Sequence, residues 1–405
     1  MINTAAAIHR IEMTNEERAA VLSKCQSLAE HFEIAGPAHD KENSFPYDLA
    51  EKFRASGLAC LTVPKRFGGL GADIKTFTEC IQLLAEADPA CTLAFNMHLA
   101  VVGFFRGMWN DESQQRLFSR VVKDAVLFDG AYSESRAGVI GIADTVAVPV
   151  DGGYRVTGKK TWGTLSLVAD IHTFNACITD TDGALPDEPG EREAREVMLC
   201  CPADAPGVRV DKTWDALGMR ATGTETLVLE DVFVPEQDLV SSSFRAGLFQ
   251  TLEWQTLSFA SVYLGLARRA FREATEILKS KNLGMISGAA DVALKDMQRV
   301  QAGLGEMQVL IETSASLIEN TTQRLIENDR IPADPQARLA FLEIPKVVST
   351  ENAIRVVDTA MRLVGGGSFR RGHILERLYR DARSGPFHPL TTDQTLELLG
   401  QINLQ

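Results

Sequence analysis

Residues 145–164, TVAVPVDGGYRVTGKKTWGT, decide the fold because their pattern has no helical period. Thr145 to Val150 is a run rich in β-branched residues, broken by Ala147 and Pro149. Asp151-Gly-Gly is a turn signal, and Tyr154 to Thr164 resumes with alternating apolar and polar residues. Strand, tight turn, strand is the pattern of a hairpin. Further short runs of the same texture flank it: Ala125 to Phe128, Ile171 to Phe174, Val197 to Cys200 and Leu227 to Pro235. Their spacing predicts a small antiparallel barrel or sandwich that begins near Val126 and ends near Pro235. Residues 180–196, rich in Asp, Glu, Pro and Gly, read as a solvated excursion.

Outward from this island the chain is helical on both sides. Thr14-Asn-Glu-Glu has the form of a capping box, Lys65 to Gly71 is a glycine-rich turn, and Leu93, Phe95, His98 and Val102 fall on about one helical face. After Leu248, Val300, Leu304, Met307, Ile311 and Ile318 recur at helical spacing, with further helices over 337–350 and 352–363. Packed together, such helices make a four-helix bundle. The reading is an α+β chain: an N-terminal helical domain over 1–125, a central β-barrel over 126–240 and a C-terminal bundle over 241–405.

The 405 residues carry a net charge of −13, which argues against nucleic acid or an anionic membrane as partner. No apolar run is long enough to span a bilayer. Seven cysteines without a CxxC pair, and a start without a secretory apolar core, lead to the expectation of a reduced, cytoplasmic protein. Cys200-Cys201 lack histidines at ligand spacing, so no metal site is expected.

The segment 361–393, MRLVGGGSFRRGHILERLYRDARSGPFHPLTTD, holds the densest concentration of chemistry. Three glycines, Gly365 to Gly367, permit close backbone approach. A basic and aromatic cluster follows, and then His388 stands one residue after Phe387 and just before Pro389.

Four strings in this order resemble motifs of the acyl-CoA dehydrogenase superfamily of flavoproteins. Tyr132-Ser133-Glu134-Ser135-Arg136-Ala137-Gly138 is similar to its TEPxAGS turn. Tyr154 to Thr164 resembles YxxxGxKxWIT. Leu217 to Thr224 with Leu229 to Pro235 resembles LGxRxSxT…FxDVxVP, and Gly365 to Arg383 resembles GGxGF…ERxxRDAK. The resemblance implies a flavin whose ring rests on Trp162, with Thr164 at N5 and Tyr132 and Ser133 beside it. Gly365, Gly366 and Arg362 would serve the cofactor of a neighbouring subunit, so a homotetramer or homodimer is expected. FAD is the expected cofactor and FMN the alternative. Val139 stands where the family has serine and Arg362 where it prefers glutamine. The family's Arg…Phe-Gly appears only as Lys281-Asn-Leu283-Gly284.

The resemblance implies oxidation of an acyl thioester at its CH–CH bond, with hydride passing to N5 and electrons to an electron-transfer flavoprotein. A carboxylate must then take the α-proton. The two positions where the family places a glutamate hold Pro389 and Gln255, and only a four-residue shift brings in Asp393, which otherwise reads as the N-cap of a helix from Gln394. The arginine that holds CoA is replaced by Thr256. A second branch, which includes dibenzothiophene monooxygenase, uses flavin from a separate reductase and dioxygen through a C4a-peroxyflavin, and often carries a histidine after the RDA segment. His388 stands there, and His98 and Thr164 are similar to that branch's other active-site groups. The sequence places dehydrogenation first with Asp393 as the candidate base, monooxygenation second with His388 and His98 as candidate catalytic residues, and a non-catalytic flavin-binding protein third.

Overall fold

A computed structural model describes residues 11–108, 111–134, 142–283 and 292–404. Helix α1 (Asn15–Glu42) opens with the capping box read above: Thr14 accepts from the Glu17 amide while the Glu17 carboxylate takes the Thr14 N–H. α2 (Tyr47–Ser56), α3 (Ile74–Ala87, capped by Asp73), α4 (Pro89–Met108) and α5 (Asp111–Asp124) complete the N-terminal helices. α4 is buried around nearly its whole circumference, as a helix apolar on all sides must be.

The strands are β1 (Phe128–Ala131), β2 (Val146–Val150), β3 (Gly153–Gly163), β4 (Ile171–Ile178), β5 (Glu196–Pro202), β6 (Val208–Asp211), β7 (Glu225–Pro235) and β8 (Leu239–Ser241). A short helix, α6 (Pro189–Ala194), sits in the polar excursion between β4 and β5. The hairpin falls where its turn chemistry predicts, β2 pairing β3 through Val150 and Gly153. The sheet is mixed where an antiparallel one was expected. Its order is β6-β7-β3-β2-β4-β5-β8, and one edge of β4 is shared by β1 and β2, both parallel to it. Residues from strands far apart in that order, Val156, Phe174, Leu199 and Leu229 among them, meet in one apolar core, so the sheet curls around its own interior.

After α7 (Phe244–Thr251) come three long helices, α8 (Glu253–Ser280), α9 (Gln298–Glu327) and α10 (Pro335–Val364), then α11 (Ile374–Ala382) and α12 (Thr392–Leu404). α8 lies at the centre, packed by α3 on one side and α10 on the other, and its first fifteen residues are buried without interruption. A single apolar core runs from the N-terminal helices through this bundle. The two helical parts therefore act as one body against which the curled sheet is set. Among the described residues no helix is long and apolar enough to cross a membrane, and no group of three or more His, Cys, Asp or Glu could hold a metal ion.

Candidate active site

Where the sheet, α4, α8 and the loop after α11 converge, a cavity of about 480 Å3 opens. Leu93 and Met97 of α4, Phe259 of α8, Trp162, Trp214 and Phe387 make its wall mostly apolar. The polar groups it exposes are few and specific, which is the usual composition of a small-molecule site.

Trp162 is set by a break in the β3–β7 ladder between Lys160 and Gly163. Its backbone is left-handed, φ +60°, and Leu165 three residues on is the same at +73°. Each costs on the order of 1 kcal/mol or more for a residue with a side chain. The indole nevertheless stands 55% exposed on the cavity wall. The Thr161 amide donates to the Ser133 carbonyl at 2.9 Å, which clamps the end of β1 beside the indole. Strain that presents a bare aromatic face marks a place where a planar ligand would lie.

Thr164 is next to that face, and its hydroxyl proton is already committed. Thr222 donates to the Met219 carbonyl at 2.8 Å, so Thr224 must donate to Thr222 (2.6 Å) and Thr164 to Thr224 (2.9 Å). Each hydroxyl has one hydrogen, and Thr164 is left facing the cavity with lone pairs only. Tyr132 follows the same rule: its hydroxyl donates to Thr173 at 2.8 Å, because Thr173 donates to the Asp129 carbonyl.

His388 occupies the opposite wall. Its ring stacks on Phe259 with centroids 4.1 Å apart, and its Nε2 lies 2.7 Å from the Tyr263 hydroxyl. That hydroxyl is also 2.7 Å from Ser384 Oγ, which donates to the Asp381 carbonyl at 2.6 Å. Burial, with the Lys346 ammonium nearby, pushes the imidazole down to about 3, so it is neutral at ordinary pH. Lys346 of α10 pins the backbone here by donating to the carbonyls of His388 (3.2 Å) and Leu390, and is itself paired with buried Glu343.

The structure separates the predicted residues. Tyr132, Ser133, Trp162, Thr164 and His388 share the cavity, with Gln255 and Pro389 also on its wall. His98 does not. It is fully buried beneath α4, its Nδ1 accepting from the Phe128 amide (2.9 Å) and its Nε2 donating to the Ala59 carbonyl (2.8 Å). Asp393 does not reach the cavity either. It is exposed in the first turn of α12, which starts two residues earlier than the sequence reading, capped by Thr391 and Gln394. Arg362, paired with Asp358, and Gly365 and Gly366 lie at the far end of α10, outside this cavity. Gly365 turns the chain there at φ +88°. Glu134 is a buried carboxylate tied to Lys160 and Thr145. Ser135 to Val139 and Gly284 lie outside the described residues. Phe259 lines the cavity, whereas Phe95 and Trp254 are core and Tyr263 stands behind His388.

The sequence reading missed Ser384, Thr222 and Thr224 as site groups, and Tyr263 in its role behind His388. The Thr-x-Thr spacing in Arg220-Ala-Thr222-Gly-Thr224 was in view. The pairing of Tyr263 with Ser384, 121 residues apart, has no local signal.

One seam holds the site together. The loop 217–219 runs against α11 so closely that a Cβ on Gly218 would meet the Arg380 carbonyl at 2.4 Å. Arg380 donates to the Leu217 carbonyl (3.1 Å), and the Met219 amide donates to Asp381 (2.6 Å). Arg377 pairs with Asp88 at 2.8 Å and Arg380 with Asp40 at 2.7 Å, so these two members of the basic cluster are structural, while Arg383 reaches the cavity wall.

Comparison with known sequences agrees with this geometry. The models for the N-terminal, middle and C-terminal domains of acyl-CoA dehydrogenase match residues 14–124, 131–232 and 257–392. The chain belongs to the acyl-CoA dehydrogenase family. It is 28% identical over 389 residues to the putative acyl-CoA dehydrogenase YdbM of Bacillus subtilis (strain 168), covering 95% of this chain and 97% of that protein. It is 23% identical to dibenzothiophene monooxygenase of Mycolicibacterium goodii, covering 92% of this chain and 91% of that one. Among solved structures, FMN-bound TdsC from Paenibacillus sp. A11-2 superposes with a TM-score of 0.83 at 25% identity, over 94% of this chain and 96% of that one.

Proposed function

We propose that this family member is a flavin-dependent monooxygenase that oxidises an apolar small molecule with dioxygen, using flavin reduced by a separate reductase. The observation that carries the reading is the chemistry of the cavity wall. Among the described residues it holds no carboxylate, whereas a neutral imidazole, His388, stands on it. An acyl thioester dehydrogenase needs a carboxylate opposite N5; Gln255 and Pro389 occupy the wall instead, and Asp393 faces solvent.

The wall suits a flavin. Trp162 offers the flat apolar face, and Ser133 and Tyr132 border it. Thr164, with its hydrogen spent on Thr224, offers a lone pair to a ring N–H, which reduced flavin carries at N5 and oxidised flavin lacks. Reduced flavin supplies the electrons that activate dioxygen; the protein's part is to hold, orient and exclude water. Leu93, Met97, Phe259 and Phe387 keep the cavity dry and bind an apolar substrate. His388, neutral and stacked on Phe259, holds and returns a proton at the substrate. FMN and FAD share the ring, and the open Gly365-Gly366 turn with Arg362 serves the adenosine end of FAD in a neighbouring copy, so a homo-oligomer is part of this reading.

The test supplies reduced FMN or FAD, isotopically labelled dioxygen and a panel of apolar aromatics. Label in the product is the expected result. The likeness to YdbM favours a second reading, dehydrogenation of an acyl-CoA. Anaerobic bleaching of bound flavin by acyl-CoA, with no label incorporated from dioxygen, would establish it in place of the first.

A further inference from the structure

The groups behind His388 decide which of its nitrogens carries the proton. The Asp381 carbonyl can only accept, so the Ser384 hydrogen goes there, across 2.6 Å. Ser384 Oγ must then accept from Tyr263, whose one hydrogen is spent at 2.7 Å. Tyr263 Oη, 2.7 Å from Nε2, can therefore only accept from the imidazole. Nε2 carries the proton. Since the ring is neutral, Nδ1 carries none. Nδ1 lies across the ring from Tyr263, and the ring itself lines the cavity. Among the described residues the Tyr263 bond is the one side-chain hydrogen bond His388 makes.

The relay is anchored at both ends by rigid structure. Tyr263 is fully buried in α8. The loop carrying His388 is held through its carbonyls by Lys346, and Gly385 packs so tightly that a Cβ there would meet Thr350 at 2.8 Å. With Phe259 against its face, the imidazole has little freedom to flip. A bare acceptor set in an apolar wall discriminates strongly, because a ligand that cannot donate leaves it desolvated and unpaired.

We infer that Tyr263 and Ser384 are positioning residues that make His388 Nδ1 a fixed hydrogen-bond acceptor, and that the cavity takes planar apolar molecules bearing an N–H or O–H on one edge. This deepens the proposed function and rests on its placement of substrate in this cavity.

Indole and benzothiophene have nearly the same shape and differ in whether the heteroatom carries a hydrogen. Binding of each to the flavin-loaded protein, measured by calorimetry, is expected to favour indole about tenfold, the worth of one good hydrogen bond. Ser384→Ala removes the acceptor for the Tyr263 hydrogen, which then turns to Nε2 and moves the imidazole proton to Nδ1. The preference for indole should then vanish. Nitrogen NMR of histidine-labelled protein reads the same change directly: Nδ1 of His388 is pyridine-like in the wild type and pyrrole-like in Ser384→Ala. A proton on Nδ1 in the wild type overturns the assignment. Equal binding of the two bicycles, or binding of neither, overturns the substrate class. Survival of turnover in His388→Ala while the NMR result and the indole preference hold would instead sink the role of His388 in the reaction and leave the ligand assignment standing.

Discussion

His98 and His388 are both neutral imidazoles, both packed against phenylalanine, and both were candidates for the same chemistry. Burial pushes the first down to about 4 and, with Lys346, the second down to about 3. What separates them is where their nitrogens go. His98 spends both on backbone groups, Phe128 N–H and Ala59 C=O, and so staples α4 to β1 and to the turn after α2. His388 spends one on a side-chain relay, makes no other side-chain hydrogen bond among the described residues, and lines a cavity. A perturbed pKa alone does not identify a catalytic histidine. The fate of the second nitrogen does.

The comparison breaks most visibly under alanine substitution. His388→Ala should lower kcat by at least about 100-fold and leave the melting temperature nearly unchanged, since one side-chain bond and one stacked ring are lost at a half-buried position. His98→Ala should do the reverse. It strands a buried N–H and a buried C=O and opens a void, which costs roughly 3 kcal/mol or more, while turnover per folded molecule persists. Thermal melts and steady-state kinetics on both variants decide this, and a swapped result ends the distinction.

Acidification sharpens it. Both folded-state values lie below the ordinary 6.5, so each histidine contributes stability that is full above that pH. The contribution of His98 is lost as pH falls from 6.5 to about 4, that of His388 from 6.5 to about 3. The His98 share is on the order of 3 kcal/mol, so urea melts of His98→Ala should show a flatter acid limb than wild type. Activity should show no inflection from His388 between about pH 5 and 8; an inflection near 6.5 that His388→Ala removes would contradict its neutral assignment.

A smaller effect tests the relay on the opposite wall. Thr224→Val frees the Thr164 hydrogen to turn outward, which suits oxidised flavin. The preference for reduced over oxidised flavin should fall about tenfold, equivalent to a drop of about 30 mV in the bound flavin's potential. Equilibrium titration of both redox forms measures it, and an unchanged ratio defeats the argument from hydroxyl direction. Smallest of all, Asp393→Asn should change turnover less than about twofold.

Much of this is legible in the sequence. The turn at Asp151-Gly-Gly, the capping box at Thr14 and the helix–sheet–helix order follow from short-range chemistry, whereas Tyr132, Trp162 and Thr164 came from the resemblance of their motifs, and the structure brings them to one cavity. The parallel pairing of β1 and β2 to one edge of β4 did not, because strand texture does not encode direction. His98 was a candidate through resemblance to the monooxygenase branch, and because α4 is buried on all sides its periodicity could not say which face meets the cavity. Leu93 and Met97, one turn apart, face it, and His98 points elsewhere. For Asp393, the signal was present two residues earlier: Thr391-x-x-Gln394 is itself a capping box. The Tyr263–Ser384 relay depends on α8 meeting the turn after α11, which is tertiary information.

The seam at Gly218 has an evolutionary corollary. With the loop 217–219 welded by backbone contact and by Asp381 to α11, the deep wall can change only if two segments far apart in sequence change together. Side chains at the mouth are under no such restraint: the Leu217 backbone belongs to the seam, but the residue is 62% exposed and Phe387 60%, and both border the cavity. New substrate ranges in this lineage should therefore arise at the rim, one residue at a time, around an interior that drifts slowly.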